Sequence, residues 1–230
     1  MATRNKFRRA FRGRGVRVII DLSQSQKDLI VLVADKNMEA ALRSVLKRHE
    51  SLETRQINFE ILVHPHRDPG CLSNAHTLLQ PFSQRYLFSV VVFDREGCGQ
   101  EAKATAELES GVENLLFERG WTDRSCAITI DPELEAWVWK NSPHVSNALG
   151  WDDGVDKLYL WLKQKGYLEE NENRPKRPKE ALEAALRNVK KPRSSSIYAE
   201  LGSKLSLKKC TDHSFLKLKS RLQVWFPPLQ

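Results

Sequence analysis

Cysteine is scarce in this chain of 230 residues: Cys71, Cys98, Cys126 and Cys210 are widely spaced and form no CxxC pair. That argues against a zinc knuckle or a disulfide-framed secreted domain, and for a reducing, cytoplasmic setting. Long hydrophobic runs are missing as well. The best candidate, Leu87 to Phe93, is strand-length, well short of the ~18–20 apolar residues that span a bilayer, so a soluble protein without membrane contact is expected. A secretory leader is not expected either, because Arg17 and Asp21 break the apolar segment Val16–Ile20 behind the basic start. Glycine and proline number only 11 and 10, with 29% charged and 40% hydrophobic residues, which excludes fibrous and low-complexity chains. No phosphate-cradling glycine motif is present: Gly97-Cys-Gly99 is too short for a dinucleotide or P-loop fingerprint, and ATP binding is not expected.

What is present is an uneven charge. The net charge of +8 divides into +7 over residues 1–20, −8 over 21–170 and +9 over 171–230. An acidic body between basic ends suits contact with a polyanion, nucleic acid first among them. The expected organisation is a basic tail at 1–20, an α/β core at 21–140, and a basic, mainly helical region at 141–230 that packs on the core.

Hydrophobic patterning supports that division. Asp28–Ala34 is a nearly continuous apolar run, as expected of a strand buried on both faces. It is followed by Asp35 as a helix cap, and by Met38, Leu42, Val45 and Leu46 at helical spacing within 36–50. Strands are expected at 58–63, 86–93 and 125–130. Helices are expected at 72–85, limited by Pro81, at 101–119, closed by Gly120, and from Pro132 to Trp139. Strand and helix alternate four times, which predicts a mostly parallel sheet with helices on both faces. Beyond 141 the pattern changes to short helical pieces separated by Asn, Pro, Lys and Ser. The last segment spaces Phe215, Leu218, Leu222 and Trp225 along one helical face.

The acids fall at strand ends. Asp35 follows the first of these strands, Asp94 and Glu96 the third, and Asp131, Glu133 and Glu135 the fourth. Strand ends of a parallel sheet share one rim, and clustered carboxylates repel unless a cation neutralises them. Hard oxygen donors suit Mg²⁺ or Mn²⁺, the usual apparatus of in-line phosphoryl chemistry. Taken singly, Asp35 and Asp131 also fit helix caps, and Glu133 or Glu135 a solvated first-turn acid. The pair Asp94-x-Glu96 is the more telling, because it leads from the most apolar strand into Gly97-Cys-Gly99.

This order of strand, helix, acid pair and later Pro132-Glu-Leu-Glu-Ala-Trp137 resembles the Toprim-like domains of prokaryotic proteins. With Pro178-Lys-Glu-Ala-Leu182 and the segment Ser214 to Leu222, it is similar to a largely uncharacterised Toprim-like family found beside ATPases and in antiviral defence loci, including an accessory protein of a methylation-associated phage-defence system. The likeness spans about residues 28–225. It implies a Toprim-like α/β core with Mg²⁺ or Mn²⁺ at Asp94 and Glu96, and Asp35 or Glu39 as acid/base; Glu133 and Glu135, by their place after the last strand, are expected to support the metal at the rim. It also implies a metal-dependent nuclease or phosphotransferase acting on nucleic-acid phosphodiesters, with other defence proteins as partners. The chain departs from the pattern twice: Val33-Ala-Asp35 stands where Val-Glu-Gly is usual, and Glu96 where a second Asp is usual. The displaced acid favours the alternative, a non-catalytic subunit that docks on nucleic acid or partner proteins.

Other constellations are weaker. His64-x-His66-x-Asp68, with His76 nearby, offers zinc-type donors in a loop shaped by Pro65 and Pro69. Cys98 between two glycines lacks an identifiable histidine partner, and the tryptophans at 137, 139, 151, 161 and 225 fit core packing better than base stacking. Phosphate contacts without sequence readout are expected from Arg8, Arg9, Arg12, Arg14, Lys176, Arg177, Lys179, Lys190, Lys191 and Arg193.

Overall fold

The computed structural model describes residues 8–13, 16–21, 26–139, 142–204, 206–207 and 210–228, the first two segments as backbone only. There, β1 (Arg8–Gly13) and β2 (Val16–Asp21) pair antiparallel, so the region read as a plain basic tail holds a two-stranded hairpin. The side chains of Arg8, Arg9 and Arg12, and the whole of Arg14, lie outside the described residues.

The core is a four-stranded, all-parallel sheet with the order β4-β3-β5-β6, built from β3 (Lys27–Val33), β4 (Phe59–Val63), β5 (Tyr86–Asp94) and β6 (Ser125–Ile130). Leu29 to Val33 and Val90 to Phe93 are buried without a break, because a central parallel strand has a helix layer on each side. The chain leaves β3 for β4 on one side, then crosses back to β5 and β6 on the other. That reversal opens a crevice at the carboxyl ends of β3 and β5. Right-handed crossovers put α1 (Lys36–Leu46) on one face, and α3 (Arg67–Leu79) and α4 (Thr105–Leu116) together on the other. A one-turn helix, α2 (His49–Leu52), lies between α1 and β4.

Two helix starts differ from the sequence reading. The helix expected from Leu72 begins at Arg67, since Pro69 falls in the first turn, where its missing N–H has no intrahelical partner to lose. Downstream of β6, an α-helix from Pro132 is replaced by a short 3₁₀ turn, Leu134–Trp137, with Glu133 fully extended before it. Glu133 and Glu135 are held there by residues more than forty positions away, and those tertiary bonds override local helix preference. Similarly, α4 starts later than expected because Glu101 turns back, its Oε1 accepting from the Gly97 and Gly99 amides at 3.0 Å each. Both glycines have φ near +85°, a conformation that favours glycine.

The edge of β6 is covered by side chains. Glu109 accepts from the Thr129 amide (2.8 Å) and Glu113 from the Ala127 amide (2.9 Å), while Lys217 bonds Glu109 and the Ala127 carbonyl. Carboxylates thus stand where a fifth strand would bond, which closes the edge to further pairing.

The remaining helices are α5 (Pro143–Leu149), α6 (Val155–Gln164), α7 (Pro178–Asn188), α8 (Ser195–Lys204) and α9 (His213–Trp225). Phe215, Leu218, Leu222 and Trp225 of α9 join the sheet's core, with Trp225 stacked on Phe88 at 4.5 Å. Helices α5, α6 and α7 surround a second apolar cluster around Trp139, Leu149, Leu158 and Leu182. Helix α8 belongs to both, Tyr198 facing the sheet cluster and Ile197 and Leu201 the helical one. It packs on α1 through Gly202, where a Cβ would lie 2.7 Å from the Ala41 carbonyl. No helix among the described residues is long and apolar enough to cross a membrane.

Candidate functional site

The crevice at the ends of β3 and β5 gathers acids from four parts of the sequence. Asp94 ends β5, on the same side of the strand as Phe88, and thus faces the layer formed by α1, α8 and α9. Its Oδ1 is buried and has no hydrogen-bond partner. Burial pushes the Asp94 carboxyl well above the usual carboxylate range, and the charges of Asp68, Glu135, Asp35 and Glu133 push in the same direction. Asp68, in the first turn of α3, accepts from the Asp94 backbone amide at 2.8 Å. Burial raises its pKa also, offset by that amide bond and raised further by Asp35.

The other acids have protein partners. Asp35 is the N-cap of α1, accepting from the Met38 amide at 2.8 Å. Glu39, the other residue expected to move protons, lies between Lys36 (2.8 Å) and Arg43 (2.9 Å), and Lys36 is the main cause of its lowered pKa. Its carboxylate serves α1 as an i,i+3 and i,i+4 ion pair. Replacing Glu39 with glutamine is therefore expected to cost at most about 0.5 kcal/mol at neutral pH and to leave any activity intact. The stabilisation is present above the ordinary glutamate pKa of about 4.3 and is lost as the pH falls below it. Denaturant titration at two pH values checks this.

Glu133 accepts from the Lys179 amide at 2.9 Å, with the Lys179 ammonium at 3.4 Å. Glu135 is 1% exposed and bonds Arg193 at 2.7 Å and the Tyr198 hydroxyl. These glutamates tie the rim to α7 and α8, and their carboxylates face protein cations. Glu96 is exposed, with its amide bonded to the Pro132 carbonyl, and Asp131 pairs with Arg95 at 3.0 Å.

Around Asp94, then, stand the four carboxylates of Asp35, Asp68, Glu133 and Glu135, with two cations, Lys179 and Arg193, supplied by α7 and by the segment between α7 and α8. Among the described residues, no group of three His, Cys, Asp or Glu side chains is arranged to hold a metal ion by itself. Mg²⁺ needs no such cage, because one or two carboxylates with water and phosphate oxygens suffice. The buried, unpartnered Asp94 Oδ1 in surplus negative charge fits a hard cation of that kind.

Asp68 was legible in the sequence only as part of a histidine loop, because it follows no strand directly and sits in the first turn of α3, past the loop that leaves β4. The loop itself divides. His64 is buried, with its Nδ1 accepting from the His66 amide at 3.0 Å, and His76 Nδ1 is buried without a partner. Cys98 is 2% exposed and its thiol pKa is raised by burial, the opposite of an activated nucleophile. The indoles of Trp137 and Trp139 donate to Ser214 and to the Pro178 carbonyl, and both rings are buried.

The basic set is dispersed by its own partners. Lys176 pairs with Glu169 and Glu172, Arg177 with Glu180, and Lys191 donates to the Ala148 carbonyl. Lys190 follows α7 with a left-handed backbone. Of this group, Lys179 and Arg193 stand at the rim. No family model matches the chain, and searches of curated proteins and of solved structures find no match.

Proposed function

We propose that the chain is a cytoplasmic, Toprim-like component of a prokaryotic antiviral defence system, whose rim site acts on nucleic-acid phosphodiesters with Mg²⁺ or Mn²⁺. The observation that carries this reading is Asp94: half-buried, with its Oδ1 buried and unpartnered, and surrounded by more acids than Lys179 and Arg193 offset. Asp94 would hold the cation with Asp68, which lies against its amide, or with Glu96 from the following loop. The cation would supply charge neutralisation for the phosphate. Asp35 and the rim glutamates keep the local field negative, and the C-terminal helices fix the rim through Glu133 and Glu135.

A second reading also has a specific observation behind it. Asp35 caps α1 and Glu39 is doubly ion-paired, so neither stands free to move a proton, as expected of a docking subunit that keeps the fold without the chemistry. Calorimetric titration of Mg²⁺ and Mn²⁺ into wild type and Asp94→Asn, beside cleavage assays on labelled single- and double-stranded DNA and RNA, separates the two. Binding by wild type, absent in the variant and accompanied by cleavage, is the expected result. Metal binding that survives in Asp94→Asn would remove the cation from this site, and absence of both binding and cleavage would leave the docking subunit.

A further inference from the structure

We infer that Lys179 is the phosphate-binding residue of the rim, delivered to the acid cluster by the C-terminal helical region. This rests on the functional reading above and adds to it the group that would hold the substrate's charge.

Lys179 follows Pro178 in the first turn of α7, and its backbone is anchored, its amide donating to Glu133 Oε1 at 2.9 Å. Its ammonium is not anchored in the same way. It approaches Glu133 Oε2 only to 3.4 Å, an ion pair too long for a good hydrogen bond, and its side chain is 44% exposed. An ammonium carries three donors, and this long contact with Glu133 is its one protein partner among the described residues. Arg193 is the contrast at the same rim: its guanidinium nitrogens donate to Tyr198, Glu183 and Glu135. All three guanidinium nitrogens of Arg193 are therefore engaged, whereas Lys179 is held in place by its backbone with two of its three donors open.

Lys179 also stands beside the acids that matter, because its partner Glu133 is one of the rim carboxylates whose charge reaches Asp94. Partial burial works against its own charge, yet Glu133 and Glu135 raise its pKa above the ordinary value, so it remains an ammonium at neutral pH. A compact point charge with three donors suits a phosphate oxygen. A phosphodiester bridging a cation at Asp94 and this ammonium would bring charge balance to a site that lacks it.

The test uses the full chain and a labelled single-stranded oligonucleotide, with affinity measured across a salt series in the presence of a chelator. Lys179→Met is expected to lower the slope of log affinity against log salt by about 0.7, one phosphate contact on a single strand, and Lys179→Arg to restore it. Lys176→Met, which removes an exposed lysine paired with Glu169 and Glu172, is expected to leave the slope unchanged. A slope for Lys179→Met equal to that of wild type, even with a lower melting temperature, would make the residue a purely structural tie to Glu133 and overturn the inference. Equal losses in Lys176→Met and Lys179→Met would overturn it too, as the mark of diffuse attraction. Metal binding at Asp94 is read separately, so failure of the inference leaves that measurement standing, whereas an oligonucleotide that wild type does not bind removes the inference together with nucleic acid as the substrate.

Discussion

Glu135→Ala is expected to destabilise the protein by about 3 kcal/mol, near the lower end of what breaking a buried ion pair costs. Glu135 is 1% exposed, and its carboxylate accepts from Arg193 Nη2 and the Tyr198 hydroxyl. Tyr198 is also 1% exposed, and burial with Glu135 beside it raises its pKa, which keeps the hydroxyl protonated as a donor. Alanine would leave that hydroxyl and a guanidinium without their acceptor. The expected cost stays below the upper range because Arg193 is 31% exposed and retains Glu183. Urea denaturation of wild type, Glu135→Ala and Glu135→Gln measures the effect, the glutamine variant losing less because its amide oxygen still accepts. A loss below about 1 kcal/mol, in the range of exposed pairs, would mean that the carboxylate is not committed to these partners and is open to a cation instead. The same network joins β6 to α8, so the experiment also reads how firmly the helical region is attached to the rim.

Gly70→Ala is expected to cost about 1–3 kcal/mol through overpacking. A Cβ at this position would lie 2.1 Å from His64 Nδ1 and 2.2 Å from Cε1, with His66 Cβ at 2.9 Å. The imidazole cannot simply swing away, because His64 is 4% exposed and its Nδ1 accepts from the His66 amide. A double-mutant cycle isolates the cause: in a His64→Ala background the added methyl has room, and Gly70→Ala should then lose most of its cost. Additive losses would show that the strain comes from the helix backbone and not from the ring. The position bears on function, since Gly70 lies two residues beyond Asp68 in the first turns of α3. Displacing that turn would weaken the Asp68 bond to the Asp94 amide.

The two rim residues that depend most on tertiary context show why part of the site escaped the sequence. Asp94 ends, and Asp35 closely follows, a strand recognisable from its apolar run, and strand ends of a parallel sheet share an edge, so their convergence follows from local pattern and one topological rule. Asp68 does not end a strand. It reaches Asp94 because α3 starts at Arg67, earlier than Pro69 and Gly70 suggest, and because the β4-β3-β5-β6 order brings that helix back across β3. Lys179 lay among ten basic side chains indistinguishable by composition. The structure separates it from Lys176 and Arg177, a few residues away, by the carboxylates each finds: local ones for those two, and a rim glutamate forty-six residues distant for Lys179.

The sequence by itself determined what depends on near neighbours along the chain. Continuous apolar runs made β3 and β5 central strands; Asp35 capped α1; four residues at helical spacing buried one face of α9; and the charge blocks set basic ends around an acidic body. Tertiary structure alone decided what depends on partners far apart in the chain. It divided the rim acids into Glu133 and Glu135, held by Lys179, Arg193 and Tyr198; Asp35 and Asp68, bonded to backbone amides; and Asp94, left with a buried oxygen unpaired. It turned the expected helix at Pro132 into an extended residue and a 3₁₀ turn. The physical reason is that periodicity and capping act over a few residues, whereas the energy of a buried charge is set by whichever groups the fold brings against it.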